Sequence, residues 1–406
     1  MEKAGRKLKK YDKFIPEGMR DMLFEECNTR NMLEGEICHT LAMRGYNRVE
    51  TPAIEFFDLF NRSSSGVTCE EMYKMTDIRG RLIVVRPDNT LPIARLAATR
   101  LRNAELPLRM YYTQNVFRQN PALAGHRDEI LQSGVELIGM KGLRADLEVL
   151  ALSIDALTSC NNLDFRIELG NAGFYKYILG KLEADDATKD RITELIESKN
   201  SPALNSVLEQ FGDDKIAQIL RRLPTMFGGV EIIESAVEMC NDDEVAKLLA
   251  YLRQVYNAIG ELGYGGKISI DLGLVHGGSY YTGIVFRGYV EGSGLAVVSG
   301  GRYDGLLGEL GKDCPAVGFA IDVDELTQAV IAHDGAVATR IPDVLVFAQD
   351  GMEMRQQIYA TALTKEGFIC DTWLGDNVEK AREYALGKGI RRIDIVKTDG
   401  IETVEV

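Results

Sequence analysis

Four short segments carry polar side chains that could together bind a small charged molecule. The segments are RPDNT (86–90), FRQN (117–120), GVELIG (134–139) and VHGGSYY (275–281). Gln132 and Glu136 lie four residues apart on a predicted strand, so both face the same side. Carboxylate and amide groups are the partners that a buried cation needs, because burying a charge unpaired is costly. The polar residues of these segments are therefore candidates for binding such a group.

Each candidate residue also has a structural explanation when it is taken singly. Asp88 could cap the helix that follows it. Gln132 and Glu136 could be solvated strand residues, and the adjacent tyrosines Tyr280 and Tyr281 could belong to the core. The residues alone leave this choice open.

The Gly-rich segment GGRYDGLLGEL (300–310) is a further candidate, for phosphate binding. It lacks the Lys-Ser/Thr of a P-loop and the GxGxxG spacing of a dinucleotide site. We predict a tight turn between a strand and a helix instead, with Arg302 bound to an internal partner.

Composition limits the classes of protein and partner. The chain has 406 residues, of which 45% are hydrophobic and 27% charged, so two or three domains with real cores are expected. The net charge of −14 argues against a nucleic-acid partner, because phosphate binding requires a basic face.

Cysteine and histidine usage predicts neither a disulfide scaffold nor a metal site. The seven Cys are scattered without CxxC spacing, and the chain has only four His. We expect no cofactor. The basic N-terminal residues are followed by no apolar stretch, and no run of about 18 apolar residues occurs. No membrane span and a cytoplasmic location are therefore expected.

Hydrophobic periodicity predicts a domain over residues 1–335 in which strands and helices are mixed. Predicted helices cover 25–44 and 145–158, and predicted strands include 110–120, 129–139, 267–275 and 280–290. Residues 174–260 show helical patterns with charged faces and no strand signal, which indicates a helical insertion. The strands are mostly antiparallel neighbours, so an α+β fold is expected.

The chain pattern changes near residues 333–342. From Pro342 to Val406 a strand, helix, strand, helix and strand alternate, which predicts a small parallel α/β domain with short crossovers. This stretch has eight Lys and Arg against twelve Asp and Glu, so it carries no basic stripe for an RNA.

A series of motifs, in order, resembles the histidyl-tRNA synthetase family. The motifs are PEGMRD (16–21), YNRVETPAIE (46–55), RPDNT, FRQN, GVELIG, the tyrosine segment, GGRYDGLLGELG (300–311) and PAVGFAIDVDEL (315–326). The resemblance covers most of the chain. It implies a class II synthetase-like antiparallel core, followed at 342–406 by a truncated anticodon-binding-like domain.

The resemblance also implies a set of histidine-binding residues. They are Asp88, Asn89, Thr90, Arg118, Gln132, Glu136, Tyr280 and Tyr281. By the family pattern, Asp88 stands where an acid contacts the substrate amino group, and Gln132 and Glu136 bind the amino-acid backbone and the imidazole. Arg118, the surviving motif-2 arginine, could pair with the substrate carboxylate.

The chain departs from the family at the residues that grip ATP. The family's Arg-Gly-x-Asp-Tyr-Tyr has His276 in place of its Arg, and the motif-2 loop has His126 and Asp128 in place of two arginines. Glu325 replaces the motif-3 arginine. Each lost clamp typically costs about 3 kcal/mol of transition-state stabilisation, and the new carboxylates at 128 and 325 are expected to repel a polyphosphate. We therefore predict no catalytic residue.

A histidyl-tRNA-synthetase-like chain that keeps the amino-acid site and loses the ATP site resembles the regulatory subunits of ATP phosphoribosyltransferase. This resemblance implies a non-catalytic subunit that binds L-histidine, the end product of the pathway. It further implies a dimer through the motif-1 region and a hetero-oligomer with a short catalytic subunit. Two alternatives are a diverged active histidyl-tRNA synthetase and a stand-alone histidine sensor.

Overall fold

The computed structural model describes residues 11–62, 66–120, 127–160, 164–275 and 280–406. The chain divides into two compact units, Met1–Val337 and Ala338–Val406, and each is described by itself. Within these described parts, no helix combines the length and the apolarity that crossing a membrane requires.

Ten helices are described in the first unit. They are α1 Phe24–Met43, α2 Thr90–Ala98, α3 Leu143–Ser159, α4 Ala172–Gly180, α5 Asp186–Glu197, α6 Ser201–Leu208, α7 Lys215–Arg222, α8 Glu231–Cys240, α9 Asp243–Ile259 and α10 Val323–Asp334. Twelve strands of this unit are described. They are β1 Asn47–Arg48, β2 Ile54–Phe56, β3 Lys74–Thr76, β4 Leu82–Val85, β5 Leu108–Phe117, β6 Glu129–Ile138, β7 Phe165–Asn171, β8 Phe227–Gly228, β9 Ile268–Asp271, β10 Ile284–Val290, β11 Val298–Arg302 and β12 Ala316–Asp322.

A large sheet with the order β1-β5-β6-β12-β11-β10-β7-β9-β8 forms the centre of this unit. The strands from β5 to β7 in this order pair antiparallel, and the pairs β1–β5 and β7–β9 are parallel. The predicted α+β class with an antiparallel sheet core is confirmed.

Helices cover the central sheet because each carries an apolar stripe. In α1, Leu33, Ile37 and Leu41 recur at four-residue spacing and are fully buried, as expected for a helix that packs on a sheet. They share one core cluster with α3, α10 and β6. A second cluster contains Leu91 and Ile93 of α2 together with apolar residues of the sheet.

The segment from α4 to α9 is the largest departure from the regular sheet. Its helices bury their apolar faces in the same core cluster as the sheet. No strand is predicted in this segment, but the structure contains β8, which pairs antiparallel with β9 at the edge of the sheet. A strand of two residues is too short for a visible alternation of apolar and polar side chains.

A separate three-stranded sheet has the order β2-β4-β3. In its register, Phe56 of β2 and Met75 of β3 both lie opposite Ile83 of β4. Residues that face each other across antiparallel strands share one side of the sheet. Ile54, Phe56 and Met75 on that side are 50%, 47% and 41% exposed, so this sheet presents an apolar face.

The second unit is a four-stranded sheet with one helix on each side. Its elements are β13 Val344–Ala348, α11 Glu353–Lys365, β14 Cys370–Thr372, α12 Val378–Lys388, β15 Arg392–Val396 and β16 Ile401–Glu405. The order is β14-β13-β15-β16, with β13 parallel to both neighbours. The antiparallel strand β16 was not predicted, because its side chains are largely exposed and give no apolar stripe.

Arg302, at the end of β11, has the internal partner that we predicted. Its guanidinium lies 2.5 Å from the fully buried carboxylate of Asp146 on α3, and it also donates to Asp304 at 2.9 Å. Tyr251 of α9 donates a hydrogen bond to the same Asp146. This group of charges therefore joins the central sheet, α3 and the α4–α9 segment.

We predict that Arg302→Met lowers the free energy of unfolding by about 3–5 kcal/mol, because it leaves the Asp146 carboxylate buried without its cation. Urea unfolding of the whole chain measures the loss. The control is Arg191→Met, whose exposed pair with Glu194 on α5 contributes at most about 1 kcal/mol. Equal losses in the two variants would contradict the role given to Arg302.

Candidate binding site

A cavity of about 440 Å³ lies on the central sheet of the first unit. Seven of the eight predicted histidine-binding residues line it. They are Asp88, Thr90, Arg118, Gln132, Glu136, Tyr280 and Tyr281. The eighth, Asn89, is fully buried behind the wall, where its side-chain amide donates to Gln132 Oε1 at 3.4 Å. The fold thus assembles segments that are almost 200 residues apart in the sequence.

Asp88 both caps a helix and lines the cavity. Its Oδ1 accepts a hydrogen bond of 2.9 Å from the backbone N–H of Leu91, in the first turn of α2. Burial raises the pKa of this carboxyl, against the lowering effect of the nearby Arg118 guanidinium. The structural explanation and the binding explanation of Asp88 are therefore compatible.

Glu136 is the most deeply placed acid of the cavity. It stands opposite Gly318 of β12, where a Cβ would collide with the carboxylate, so the strand pairing requires a glycine there. The hydroxyl of Tyr303 donates to Glu136, and Thr90 also hydrogen-bonds to it. Burial, together with the neighbouring charge of Asp88, raises the pKa of Glu136 to about 8.

Aromatic rings form one wall of the cavity. The Tyr280 ring lies 5.0 Å from that of Tyr281 and 5.3 Å, edge-on, from that of Tyr303. Burial raises the pKa of all three phenols, so their hydroxyl groups stay protonated and can donate hydrogen bonds. At Gly301, a Cβ would lie 2.7 Å from the Tyr281 ring, so a residue without a side chain is needed there.

Tyr303 and Tyr112 are lining residues that our sequence reasoning missed. Tyr303 follows Arg302 in the Gly-rich segment, and adjacent residues of an extended chain point to opposite sides. Once Arg302 is assigned to the interior beside Asp146, this alternation directs Tyr303 to the cavity. For Tyr112 on β5 we find no comparable signal in the sequence.

Arg118 lies where the cavity meets a second one of about 310 Å³. Its Nε donates to the backbone oxygen of Pro87 at 2.7 Å, which fixes the guanidinium beside the Asp88 loop. Because it lines both cavities, Arg118 can reach a ligand in either one.

The second cavity has an acidic wall. Glu325, at the position of the motif-3 arginine, lines it together with Asp322 and Asp324 of the same strand-to-helix turn. Burial and the charges of Asp324 and Glu325 raise the pKa of Asp322 to about 7. The wall also includes Arg127, whose guanidinium lies 4.0 Å from Asp324. A carboxylate-rich wall of this kind disfavours a polyphosphate.

Asp128, one of the two replaced positions expected to repel a polyphosphate, does not line the second cavity. Asp128 is buried, accepts a hydrogen bond from the Tyr73 hydroxyl, and accepts another from the backbone N–H of Asn120 at 3.1 Å. These two hydrogen bonds direct the Asp128 carboxylate towards Tyr73 and Asn120. The other two replaced positions, His126 and His276, lie outside the described residues.

Metal binding has no support in the described part of the chain. No group of three or more His, Cys, Asp or Glu side chains there could hold a metal ion.

Comparisons with known proteins agree with this geometry. A family model described as histidyl-tRNA synthetase matches residues 18–326. The ATP phosphoribosyltransferase regulatory subunit of Clostridium kluyveri is 38% identical over 386 residues, which is 94% of this chain and 99% of that protein. The protein of the same name from Bacillus mycoides is 35% identical over 395 residues, covering 97% and 94%.

Solved structures resemble the chain over nearly its whole length. An ATP phosphoribosyltransferase regulatory subunit/histidyl-tRNA synthetase from Bacillus halodurans C superposes with a TM-score of 0.80 at 28% identity, covering 93% of this chain and 97% of that one. Histidyl-tRNA synthetase from Nostoc sp. PCC 7120 superposes with a TM-score of 0.74 at 21% identity, covering 97% and 96%, which shows the fold alone.

The central sheet and the matching family model thus define a histidyl-tRNA-synthetase-like protein. The extent and identity of the curated matches go further. The chain belongs to the family of ATP phosphoribosyltransferase regulatory subunits, as the motif series predicted.

The raised pKa of Glu136 predicts a pH-dependent stability of the ligand-free protein. The folded state holds this proton up to about pH 8, whereas the unfolded chain releases it near its ordinary value of 4.5. Stability from this group is therefore present below about pH 4.5 and is lost as the pH rises to 8, by at most about 1.4 kcal/mol per pH unit. Urea unfolding at pH 5, 6.5 and 8 should show that the free energy of unfolding falls less with rising pH in Glu136→Gln than in the unmodified protein.

The control for this prediction is Glu148→Gln. The Arg109 guanidinium lowers the pKa of Glu148, so this carboxylate is ionised in the folded and unfolded chain alike over this range. The control variant should change stability by the same amount at every pH. A decline in Glu136→Gln as steep as in the unmodified protein would contradict the assignment.

Proposed function

We propose that this chain is the histidine-binding regulatory subunit of an ATP phosphoribosyltransferase and performs no chemistry itself. The names of its relatives support the regulatory role and a catalytic partner subunit. The cavity supports the identity of the effector, L-histidine, and the remodelled second cavity supports the loss of ATP chemistry.

The observation that carries the proposal is a pair of buried carboxyl groups, Asp88 and Glu136, in one cavity of about 440 Å³. The pKa of each is raised because burial disfavours the charged form. Histidine brings an ammonium group and an imidazole, which can pair with the two carboxyl groups and favour their charged forms. In the proposed complex, the histidine carboxylate pairs with the Arg118 guanidinium, which lies beside the Asp88 loop. In this arrangement Asp88 receives the ammonium, Glu136 receives the imidazole and Tyr281 covers the ring.

The second cavity supports a non-catalytic role. Amino-acid activation requires cationic groups around the phosphates of ATP, because charge develops there in the transition state. At the motif-3 position this chain places Glu325, which accepts a hydrogen bond from the Ser293 hydroxyl at 2.8 Å. Asp322 and Asp324 add two further acids to the same wall. Adenylate formation is therefore not expected.

Histidine acts in this proposal by coupling to the assembly with a short catalytic subunit. An effector that binds one assembly state better than another shifts the balance between them, typically by about 1–3 kcal/mol. The catalytic subunit requires this chain for full activity, and histidine favours the less active state. Feedback on the first step of histidine biosynthesis follows from this linkage.

Self-association through the motif-1 region completes the proposed assembly. The apolar face of the β2-β4-β3 sheet, with Ile54, Phe56 and Met75 exposed, begins within YNRVETPAIE (46–55), which contains Ile54. A second copy of the same face would remove these side chains from water, which supports a dimer within the hetero-oligomer. The seven cysteines are unpaired, in keeping with a cytoplasmic setting, and no nucleic-acid or membrane partner is included.

We predict that L-histidine binds the isolated chain at one site, and that Glu136→Gln weakens the affinity about tenfold or more. The bound imidazole lowers the pKa of the Glu136 carboxyl and pairs with its charged form, which an amide cannot provide. Tyr280→Phe should weaken it by a smaller factor. Calorimetric titration measures both. The matched control is Tyr177→Phe, whose hydroxyl bonds Asp242 in the α4–α9 segment and should leave the affinity unchanged. A lack of heat with the unmodified chain would refute histidine binding.

We also predict no histidine-dependent exchange of pyrophosphate into ATP by the purified chain. In the same preparation, addition of the chain should raise the activity of a short catalytic phosphoribosyltransferase subunit, and histidine should lower it again. Measurable exchange would favour the diverged synthetase. Histidine binding without any effect on the catalytic subunit would favour the stand-alone sensor.

A further inference from the structure

A chain of buried amide and guanidinium groups leads from the β1–β2 connection to the cavity. Its members are Arg86, Gln114, Asn89 and Gln132, with Thr51 beside the first two. The first three are at most 8% exposed. Gln114 on β5 lies directly opposite Gln132 on β6, so their side chains share one side of the sheet.

The direction of this chain of hydrogen bonds is fixed at Arg86. A guanidinium and a backbone N–H can only donate hydrogen bonds. Arg86 Nη1 and the Thr51 backbone N–H lie 2.9 Å and 2.8 Å from one atom of the Gln114 amide, which must therefore be Oε1. Gln114 consequently turns its other amide atom, Nε2, towards Asn89.

The orientations of the Asn89 and Gln132 amides follow from their donors and acceptors in the same way. Gln114 Nε2 lies 3.4 Å from Asn89 Oδ1, and a donor there requires an acceptor. Asn89 Nδ2 is then left on the other side, where it donates to the backbone oxygen of Gln114 at 3.5 Å and to Gln132 Oε1 at 3.4 Å. Backbone oxygens only accept, which independently places the Asn89 nitrogen at this position.

The last amide of the series lines the cavity. Because its Oε1 is held by Asn89, Gln132 presents Nε2, a hydrogen-bond donor, to whatever binds there. A donor suits a carboxylate and repels an ammonium group. The cavity then has separate regions for the two ends of an amino acid, with acceptors at Asp88 and Glu136 and donors at Arg118 and Gln132.

We propose that Gln114 and Asn89, oriented by Arg86, are positioning residues that hold the Gln132 amide as a donor and so make the cavity select ligands with a carboxylate. This inference rests on the proposed binding of histidine. Neither residue need touch the ligand, because each acts through the orientation of the next amide.

The test is Gln114→Glu, which reverses the series without changing its shape. A carboxylate at position 114 accepts from Arg86 and Thr51 as the amide does, and the guanidinium keeps it ionised. It cannot donate to Asn89 Oδ1, so the Asn89 amide is favoured to turn its nitrogen towards position 114 and its oxygen towards Gln132. This turn gives up the long bond of 3.5 Å from Asn89 Nδ2 to the backbone oxygen of residue 114. Gln132 then presents Oε1 to the ligand. Since Arg86 gains a carboxylate partner, the variant is expected to fold.

The measurement is the affinity for L-histidine and for L-histidinol, in which a hydroxymethyl group replaces the carboxylate. The unmodified chain should prefer histidine by at least about tenfold, since an unmatched buried polar group typically costs that much or more. In Gln114→Glu, histidine should bind roughly ten- to hundredfold more weakly. Histidinol should change by less than about threefold, because its hydroxyl can donate to the reversed amide.

A matched control is Thr113→Val, next to Gln114 on β5. Thr113 is buried and accepts from the Ser133 hydroxyl at 3.0 Å, on the opposite side of the sheet. Thr113→Val should lower the free energy of unfolding and leave the ratio of the affinities for histidine and histidinol unchanged. If Gln114→Glu does not fold, Gln114→Met interrupts the series without reversing it and should narrow the ratio by about threefold.

The outcomes separate this inference from the proposed function. If the unmodified chain binds histidine and a folded Gln114 variant keeps the full histidine-to-histidinol ratio, the positioning role is overturned and histidine binding stands. If the unmodified chain binds neither compound, the proposed function fails, and the positioning role fails with it. A narrowed ratio in the Gln114 variant, beside an unchanged ratio in Thr113→Val, supports the inference.

Discussion

The cost of keeping carboxylates out of water organises the first unit of this protein. Glu136 lies on β6 of the central sheet and Asp88 in the turn before α2. Both are buried, and nearby groups only partly offset the loss of hydration. The arrangement holds because hydroxyl groups of Thr90 and Tyr303 donate to Glu136, while backbone N–H groups at the start of α2 donate to Asp88. Tyrosine rings line the cavity around the two carboxyl groups. Glycines stand at the strand positions where a side chain would collide with Glu136 or with the Tyr281 ring. In the proposed function, a ligand with two cationic or donor groups pairs with both carboxyl groups.

The second cavity is lined by residues of the motif-2 strands and the motif-3 turn, and Arg118 lines both this cavity and the first one. Three acids of the motif-3 turn, Asp322, Asp324 and Glu325, face it beside Arg118 and Arg127. The proposed loss of ATP chemistry rests on the acid at position 325. The fold is retained because these acids stand at a helix N-terminus, where carboxylates are stabilising, as the cap from Asp322 to the Glu325 N–H illustrates.

Neighbouring residues of the Gly-rich segment show how much of the site was open to prediction. Arg302 needed a buried acid, and strand alternation then directs Tyr303 to the other side, so this lining residue could have been found from the sequence. Gln132 and Glu136 were placed correctly on one face by the same alternation. The orientation of Asp128 could not be predicted in this way, because it depends on hydrogen bonds from Tyr73 and Asn120. The strands β8 and β16 escaped prediction because edge strands bury too little to leave an apolar pattern.

The sequence by itself determined the α+β class and the order of motifs by which the chain resembles its family. The class follows from local periodicity and the motifs from residue identity, and neither needs knowledge of distant contacts. The expected binding residues and the replaced arginines come from that resemblance. Only the tertiary structure decided that Asn89 stands behind the wall, that Glu136 is held by Tyr303, and which amide atom Gln132 turns to the cavity. Those facts depend on hydrogen bonds between strands far apart in the chain, and the direction of a hydrogen bond is set by its partners rather than by its own residue type.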